Sequence, residues 1–283
     1  MENVWKELKY KKLSSEELVS KEEVLNKIYY AAKDEDFIFD LLDNEIYKNM
    51  DKGRDIEKDG SIKLDLRVVP LHYIGDIENA KILILSLNPG IDKEYINFYI
   101  DMLEAKTETD EKKYEDVIKD NLNFTKRKFF EFDYHHLQKK VYWSKLKVLF
   151  PKKYEEKIKK IRKGIDTTDL DKYFTRNIAL VEFFPYHSQK YDRKLENLID
   201  SYIKKKGEYL PSQKFVFRLI ENRIREKDVT IVIARSKKKW MEAISGLSSY
   251  EKCFVCSNYR NPSFKKENLL KANDGESVFN LIK

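Results

Sequence analysis

The chain has 283 residues, of which 41% are hydrophobic and 37% charged, with a formal net charge of +7 and only two cysteines. That length and apolar content suit one large domain, or one domain with a subdomain, able to bury a real core. No stretch approaches the roughly 18 to 20 apolar residues of a membrane helix, and the modest basic excess is compatible both with nucleic acid as a partner and with solvated lysine-rich helix faces. Met1-Glu2-Asn3-Val4-Trp5-Lys6 has no apolar signal-peptide core, so a soluble, cytoplasmic protein is expected.

Residues 1–65 are charged and read as a helical N-terminal extension. Ser14-x-x-Glu17 and Ser20-x-x-Glu23 have capping-box spacing. Val24, Leu25, Ile28 and Tyr29, then Phe37 to Leu42, supply apolar stripes, and Gly53 and Asp59-Gly60 mark a loop. Val68-Val69-Pro70-Leu71-His72-Tyr73-Ile74-Gly75 reads as extended chain and a turn. Ile82 to Leu87 is an almost unbroken apolar run, which suits a strand buried on both faces of a parallel sheet. It stops at Asn88-Pro89-Gly90, after which Asp92 can cap a helix carrying Ile96, Tyr99, Ile100 and Leu103 on one face. A strand ending in such a turn places polar atoms at the carboxyl edge of a sheet, where open α/β sheets bind ligands. Asn88 is therefore the first candidate working residue, although a plain βα connection has the same pattern.

Residues 105–175 read as a lysine-rich helical insertion. Its Lys126-Arg127-Lys128 and Lys152-Lys153 suit phosphate contacts or a solvated face. Adjacent His135 and His136 point about 100° apart on a helix and make no natural metal pair. Asn177 to Pro185 is the second buried-strand pattern, ending in Tyr186-His187-Ser188, whose side chains can stack or hydrogen-bond. Residues 190–227 read as helical, with a stripe of Phe217, Ile220 and Ile224. Val229 to Ala234 is the third strand, and Arg235 to Trp240 its turn and helix start. Cys253-Phe-Val-Cys256 is the fourth. Residues three apart in a strand face opposite sides, so this spacing reads as two buried cysteines rather than a metal or redox site. A turn, Arg260-Asn261-Pro262-Ser263-Phe264, and a closing helix follow.

The expected fold is α/β: a three-layer α/β/α sandwich over 66–283, with a four-stranded, mostly parallel sheet interrupted by the 105–175 insertion. Right-handed crossovers then put Asn88, the Tyr186-His187-Ser188 cluster, Arg235 and the Arg260-to-Ser263 turn on one rim.

Leu87-Asn88-Pro89-Gly90 and Asn261-Pro262-Ser263 together resemble the two active-site motifs of the uracil-DNA glycosylase superfamily, most nearly its mismatch-specific thymine/uracil branch. The approach from Tyr73-Ile74-Gly75-Asp76 to Asn79-Ala80-Lys81 is similar too, and the likeness spans about 68–104 and 177–270. It implies a monofunctional DNA glycosylase without metal or cofactor. Such an enzyme flips a uracil, mispaired or modified base out of DNA and hydrolyses its N-glycosidic bond, in repair or in defence against modified foreign DNA.

By that resemblance Asn88 positions the hydrolytic water, with Pro89 and Gly90 beside the substrate, and Tyr95 or Phe98 stacks on the flipped base. Asn261, Pro262 and Ser263 enter the minor groove, with Phe264 as a wedge. Tyr186 and Ser188 are further substrate contacts. Arg235, Lys237 and Arg260 hold phosphates, which makes binding salt-dependent.

Two departures stand out. Ser86 occupies a position where the family usually has glycine. Asn261 stands where some branches have a histidine, a role for which His187 could substitute unless it serves local backbone groups. Iron–sulfur branches are disfavoured by the cysteine count. An asparagine amide orients water but cannot take its proton, so the expected enzyme is slow and relies on labile or poorly paired bases. Two alternatives stay open: a non-catalytic module recognising modified nucleotides or nucleic acid, and a hydrolase of free nucleosides or nucleotides.

Overall fold

The computed structural model describes residues 8–12, 27–68, 70–90, 176–258, 260–265 and 268–270. The two capping boxes, the helix after Asp92 with Tyr95 and Phe98, the 105–175 insertion and the part of the expected closing helix beyond Leu270 lie outside the described residues. The described chain forms two compact units. One contains the residues up to His72 together with 88–90 and 184–216, and the other contains 73–87, 176–183 and 217–270.

The second unit holds a six-stranded mixed sheet, which makes the protein α/β. Its strands, in spatial order, are β3 (Tyr73–Ile74), β5 (Ile178–Val181), β4 (Ile82–Leu85), β6 (Thr230–Ile233), β7 (Cys253–Cys256) and β8 (Leu269–Leu270). β5, β4, β6 and β7 run parallel. The two-residue strands β3 and β8 pair antiparallel at the edges. The sheet therefore has more strands than the apolar runs predict. Tyr73–Ile74 reads as extended chain and Leu269–Leu270 as part of the closing helix, a reading the edge strand β8 corrects. Each instead covers part of an edge that would otherwise leave a row of unpaired N–H and C=O groups.

All side chains of β4, β5 and β6 are buried, which is why these segments are apolar at every position rather than alternating. Cys253 and Cys256 are buried and unbridged in β7. At Gly75 φ is +94°, and an added Cβ would lie 2.3 Å from the Ile178 carbonyl oxygen, so only glycine fits beside β5. Phe183 and Phe217 each meet Trp240 edge-on, at centroid distances of 5.0 and 5.8 Å, and lie tilted against each other at 5.2 Å.

The helix continuing through this unit buries Phe217 and Ile220 as expected, but its next buried position is Arg223 rather than Ile224. The guanidinium is fully engaged there. It donates to Ile77 O at 2.8 Å and Ala80 O at 2.7 Å, and pairs with Asp228 at 2.9 Å.

In the first unit, β1 (Leu8–Lys12) pairs antiparallel with β2 (Lys27–Ala31), correcting the helical reading of these residues. Ile28-Tyr29-Tyr30 is a β-branched and aromatic run, and strand pairing outweighs the helical spacing found there. Helix α1 (Glu35–Asp43) does form, burying Phe37, Ile38 and Leu41. They pack with Tyr47, Met50, Ile62, Leu64 and Leu66, and with Phe184, Tyr186, Leu195, Ile199 and Leu210 from the later stretch. A one-turn helix at Ile56–Asp59, capped by Asp55, replaces part of the expected loop. Helix α2 (Arg193–Lys206) starts on Asp192, whose side chain accepts from Lys194 and Leu195 N–H, and ends at Gly207 in the left-handed conformation. The residues 190–227 thus fold as helices, in two pieces: α2 and α3 (Pro211–Glu226).

Candidate functional site

The predicted site residues fall into two groups, one in each unit. In the first, Asn88 sits three residues past the end of β4. Its Nδ2 donates to Ser188 Oγ at 2.9 Å and to Pro89 O at 3.2 Å. Ser188 is held in turn by isolated bridges to Leu64 and Gly90, and its N–H reaches Pro89 O at 3.4 Å. Two acceptors on the nitrogen orient the amide, so Oδ1 is the atom left to receive a proton donor. Among the described residues it has no protein partner. A Cβ built on Gly90 would meet nothing within 4 Å, so sterics do not require glycine there.

The rest of the neighbouring turn is used for packing. Tyr186 is buried in the core cluster, with its hydroxyl donating to Asp34 at 2.9 Å. His187 is buried as well, and its carbonyl accepts from Asp65 N–H at 2.9 Å. His72, also buried, has its pKa driven down to about 3 by desolvation and is neutral at ordinary pH.

In the second unit, Asn258 Oδ1 accepts from the N–H groups of Arg260 and Asn261 at 3.1 and 3.0 Å. This Asx-type turn fixes the start of the loop and leaves Arg260 and Asn261 exposed. Pro262 is buried. Ser263 Oγ accepts from Asn268 Nδ2 at 3.2 Å, and Ser263 O from Cys256 Sγ at 3.5 Å. Phe264 is only 1% exposed, so its ring packs inward and does not project as the expected wedge. Burying an aromatic ring stabilises the loop by more than an exposed ring would return, which is the physical reason for the inward choice. Lys237 is exposed, whereas Arg235 is half-buried and faces a partner the sequence reading overlooked.

That partner is Glu182, immediately after β5 and 6% exposed. Ser86 follows β4, and Arg235 comes two residues after β6, so the three residues cap three neighbouring parallel strands. Backbone bonds lock these ends together. Ser86 N–H donates to Val181 O at 2.8 Å, and Ala234 and Arg235 N–H donate to Leu85 O at 2.8 and 3.3 Å. Trp240 Nε1 donates to Ser86 O at 2.7 Å. Burial pushes the Glu182 carboxyl up to about 7, against the opposing effects of the Ser86 hydrogen bond and the Arg235 charge. Glu182 Oε2 and Arg235 Nε are both buried without a hydrogen-bond partner among the described residues.

A signal for Glu182 exists in the sequence: it is the one charged residue in the run from Ile178 to Pro185. Carboxylates are almost never buried without a reason, so an acid inside an apolar run merits notice.

Among the described residues no three His, Cys, Asp or Glu side chains are grouped to hold a metal ion, and no helix is long and apolar enough to cross a membrane. No family model, curated protein or solved structure matches the chain.

Proposed function

We propose that the chain is a monofunctional DNA glycosylase that hydrolyses the N-glycosidic bond of an extruded uracil, mispaired or modified base, acting in the cytoplasm. The observation that carries this reading is the Asn88 amide. Its nitrogen is tied to Ser188 Oγ and Pro89 O, and its carbonyl oxygen is left to accept a hydrogen from water. An oriented water meets an oxocarbenium-like sugar carbon without needing a strong base, so the gain comes from positioning. The reading takes helices to cover both faces of the sheet in a three-layer α/β/α arrangement. In this reading exposed Lys237 and Arg260 hold phosphates, which makes binding salt-dependent.

A second reading has one observation in its favour. With Phe264 buried, that ring does not serve as a wedge, which suits a substrate that needs no extrusion from a duplex, such as a free nucleoside or a single strand.

The test is release of base from labelled oligonucleotides carrying uracil, mismatched thymine, hypoxanthine or a modified cytosine, with free nucleosides alongside. Asn88→Ala is expected to lower the single-turnover rate by about 100-fold, as loss of one positioning group typically does. Binding of DNA without base release from any substrate would make the chain a recognition module instead. Release from nucleosides alone would make it a nucleosidase.

A further inference from the structure

Residues 61–65 lie in the stretch that the family resemblance leaves out, yet they reach the turn that carries Ser188. Asp65 N–H donates to His187 O at 2.9 Å and Lys190 N–H to Ser61 O at 3.2 Å, with Leu64 opposite Ser188 in an antiparallel bridge. Gln189 Oε1 accepts from Ser61 N–H at 2.9 Å. Ser188 is also bridged in parallel to Gly90, and its Oγ accepts from Asn88 Nδ2 at 2.9 Å. Ser188 is only 1% exposed, so its hydroxyl serves Asn88 rather than solvent.

Two side chains fix this segment in turn. Tyr47, in the helical turn Glu45–Lys48 and 4% exposed, accepts from Leu64 N–H at 3.1 Å, and its hydroxyl lies 3.4 Å from Leu64 O. Asp51 accepts from Ile62 N–H at 3.0 Å and from Ser61 Oγ–H at 2.5 Å. A stretch paired through so few backbone bonds is marginal by itself, so these anchors decide where it sits. The consequence reaches Asn88, because an asparagine amide can turn over and exchange its oxygen and nitrogen unless an acceptor waits at the nitrogen. All of these residues belong to the first unit.

We propose that residues 61–65, anchored by Tyr47 and Asp51, are a positioning element of the candidate site. They hold Ser188 in place, and Ser188 holds the Asn88 amide with Oδ1 free to accept from water. Tyr47, Asp51 and Ser188 act through Asn88 and touch no substrate. The inference rests on the glycosylase reading for its reaction and adds no chemical step to it.

The experiment measures single-turnover base release by the full chain, with protein in excess over a range of concentrations. The proteins are wild type, Ser188→Ala, Tyr47→Phe, Asn88→Ala, and each of the first two variants combined with Asn88→Ala. Ser188→Ala should lower the maximal rate by about 10-fold and Tyr47→Phe by about 3-fold, with the half-saturating concentration unchanged. Neither should slow Asn88→Ala any further, since a group acting through Asn88 has nothing to act on once that side chain is gone. Circular dichroism confirms that each variant is folded. NMR of nitrogen-labelled protein supplies a readout independent of activity. The Asn88 side-chain amide signals, identified by their loss in Asn88→Ala, should shift in Ser188→Ala and in Tyr47→Phe.

Wild-type rates in Ser188→Ala and Tyr47→Phe would overturn the positioning element while leaving the glycosylase reading intact. The same fold-loss with and without the Asn88 side chain would overturn it in favour of a general structural role. Unmoved amide signals would overturn it whatever the activity. A wild-type protein that releases no base from any substrate would overturn both the reading and the proposal.

Discussion

Among the described residues each unit buries one carboxyl group, and the two are treated differently. Asp34, in the first unit, accepts Tyr186 Oη–H at 2.9 Å and Ser212 N–H at 3.1 Å, and its pKa is raised to about 6 by burial against those bonds. Glu182, in the second, is raised to about 7 by the same cause, yet one of its oxygens is left without a partner. Burial alone therefore does not describe how a carboxyl is held. The difference lies in how many of its lone pairs the protein itself satisfies. Asp34 is closed, and it joins α1 to the turn at Tyr186. Glu182 keeps one oxygen buried and unbonded just past the end of β5.

The sharpest contrast comes from truncation. Asp34→Ala strands the Tyr186 hydroxyl and the Ser212 amide in the core, and is expected to cost on the order of 4 kcal/mol in urea unfolding. Glu182→Gln keeps the shape and removes the ionisation, so at neutral pH it should cost nothing or stabilise. Equal losses in the two variants would erase the distinction between the sites.

The pH dependence comes next in size. Glu182 has a folded pKa raised above its ordinary 4.5 to about 7, so the folded state holds the proton more tightly. Its contribution is fully present below pH ~4.5 and is lost as pH rises through about 7. The difference of roughly 2.5 units corresponds to on the order of 3 kcal/mol. Wild type should lose that much stability relative to Glu182→Gln across the window, measured as parallel denaturant midpoints. Asp34 acts with the same sign between 3.8 and about 6. His72, lowered from 6.5 to about 3, acts with the opposite sign, stabilising above its ordinary value and losing that as pH falls. A Glu182→Gln difference that is flat with pH would mean the carboxyl is solvated.

The smallest effect expected is at Trp240. Trp240→Phe leaves the Ser86 carbonyl without its donor and should cost about 1–2 kcal/mol. If the Trp240–Ser86 bond orders the site, the same variant also blunts the pH window of Glu182. A stability loss with an unchanged window would confine Trp240 to packing.

Legibility from sequence was uneven in an instructive way. Ile82–Leu85, Ile178–Val181, Thr230–Ile233 and Cys253–Cys256 were all readable, because burial on both faces forces an apolar residue at every position, and that demand is local. The β1–β2 pairing was not, because residues 8–12 and 27–31 carry mixed signals that only the partner strand decides. The two-residue edges at Tyr73 and Leu269 are too short for any periodicity to register.

The place of Asn88 in a turn after a buried strand was readable from its context, and the structure adds the Ser188 contact that orients its amide, made across 100 residues. Phe264 looked like an exposed wedge because a loop aromatic carries no mark of which way it turns. Arg235 looked like a phosphate ligand for the same reason, and its relation to Glu182 appears only when β5, β4 and β6 lie side by side.

What the sequence by itself determined is thus the set of buried parallel strands and the polar turns that follow them, since both arise from the burial and backbone needs of consecutive residues. The tertiary structure alone decided which of those polar groups meet. Asp34 finds Tyr186 across 152 residues and Trp240 finds Ser86 across 154. Glu182 is brought to Ser86 and Arg235 by strand order rather than by spacing. A carboxyl group's charge depends on its solvation and its neighbours, and both are supplied by chain segments remote in sequence.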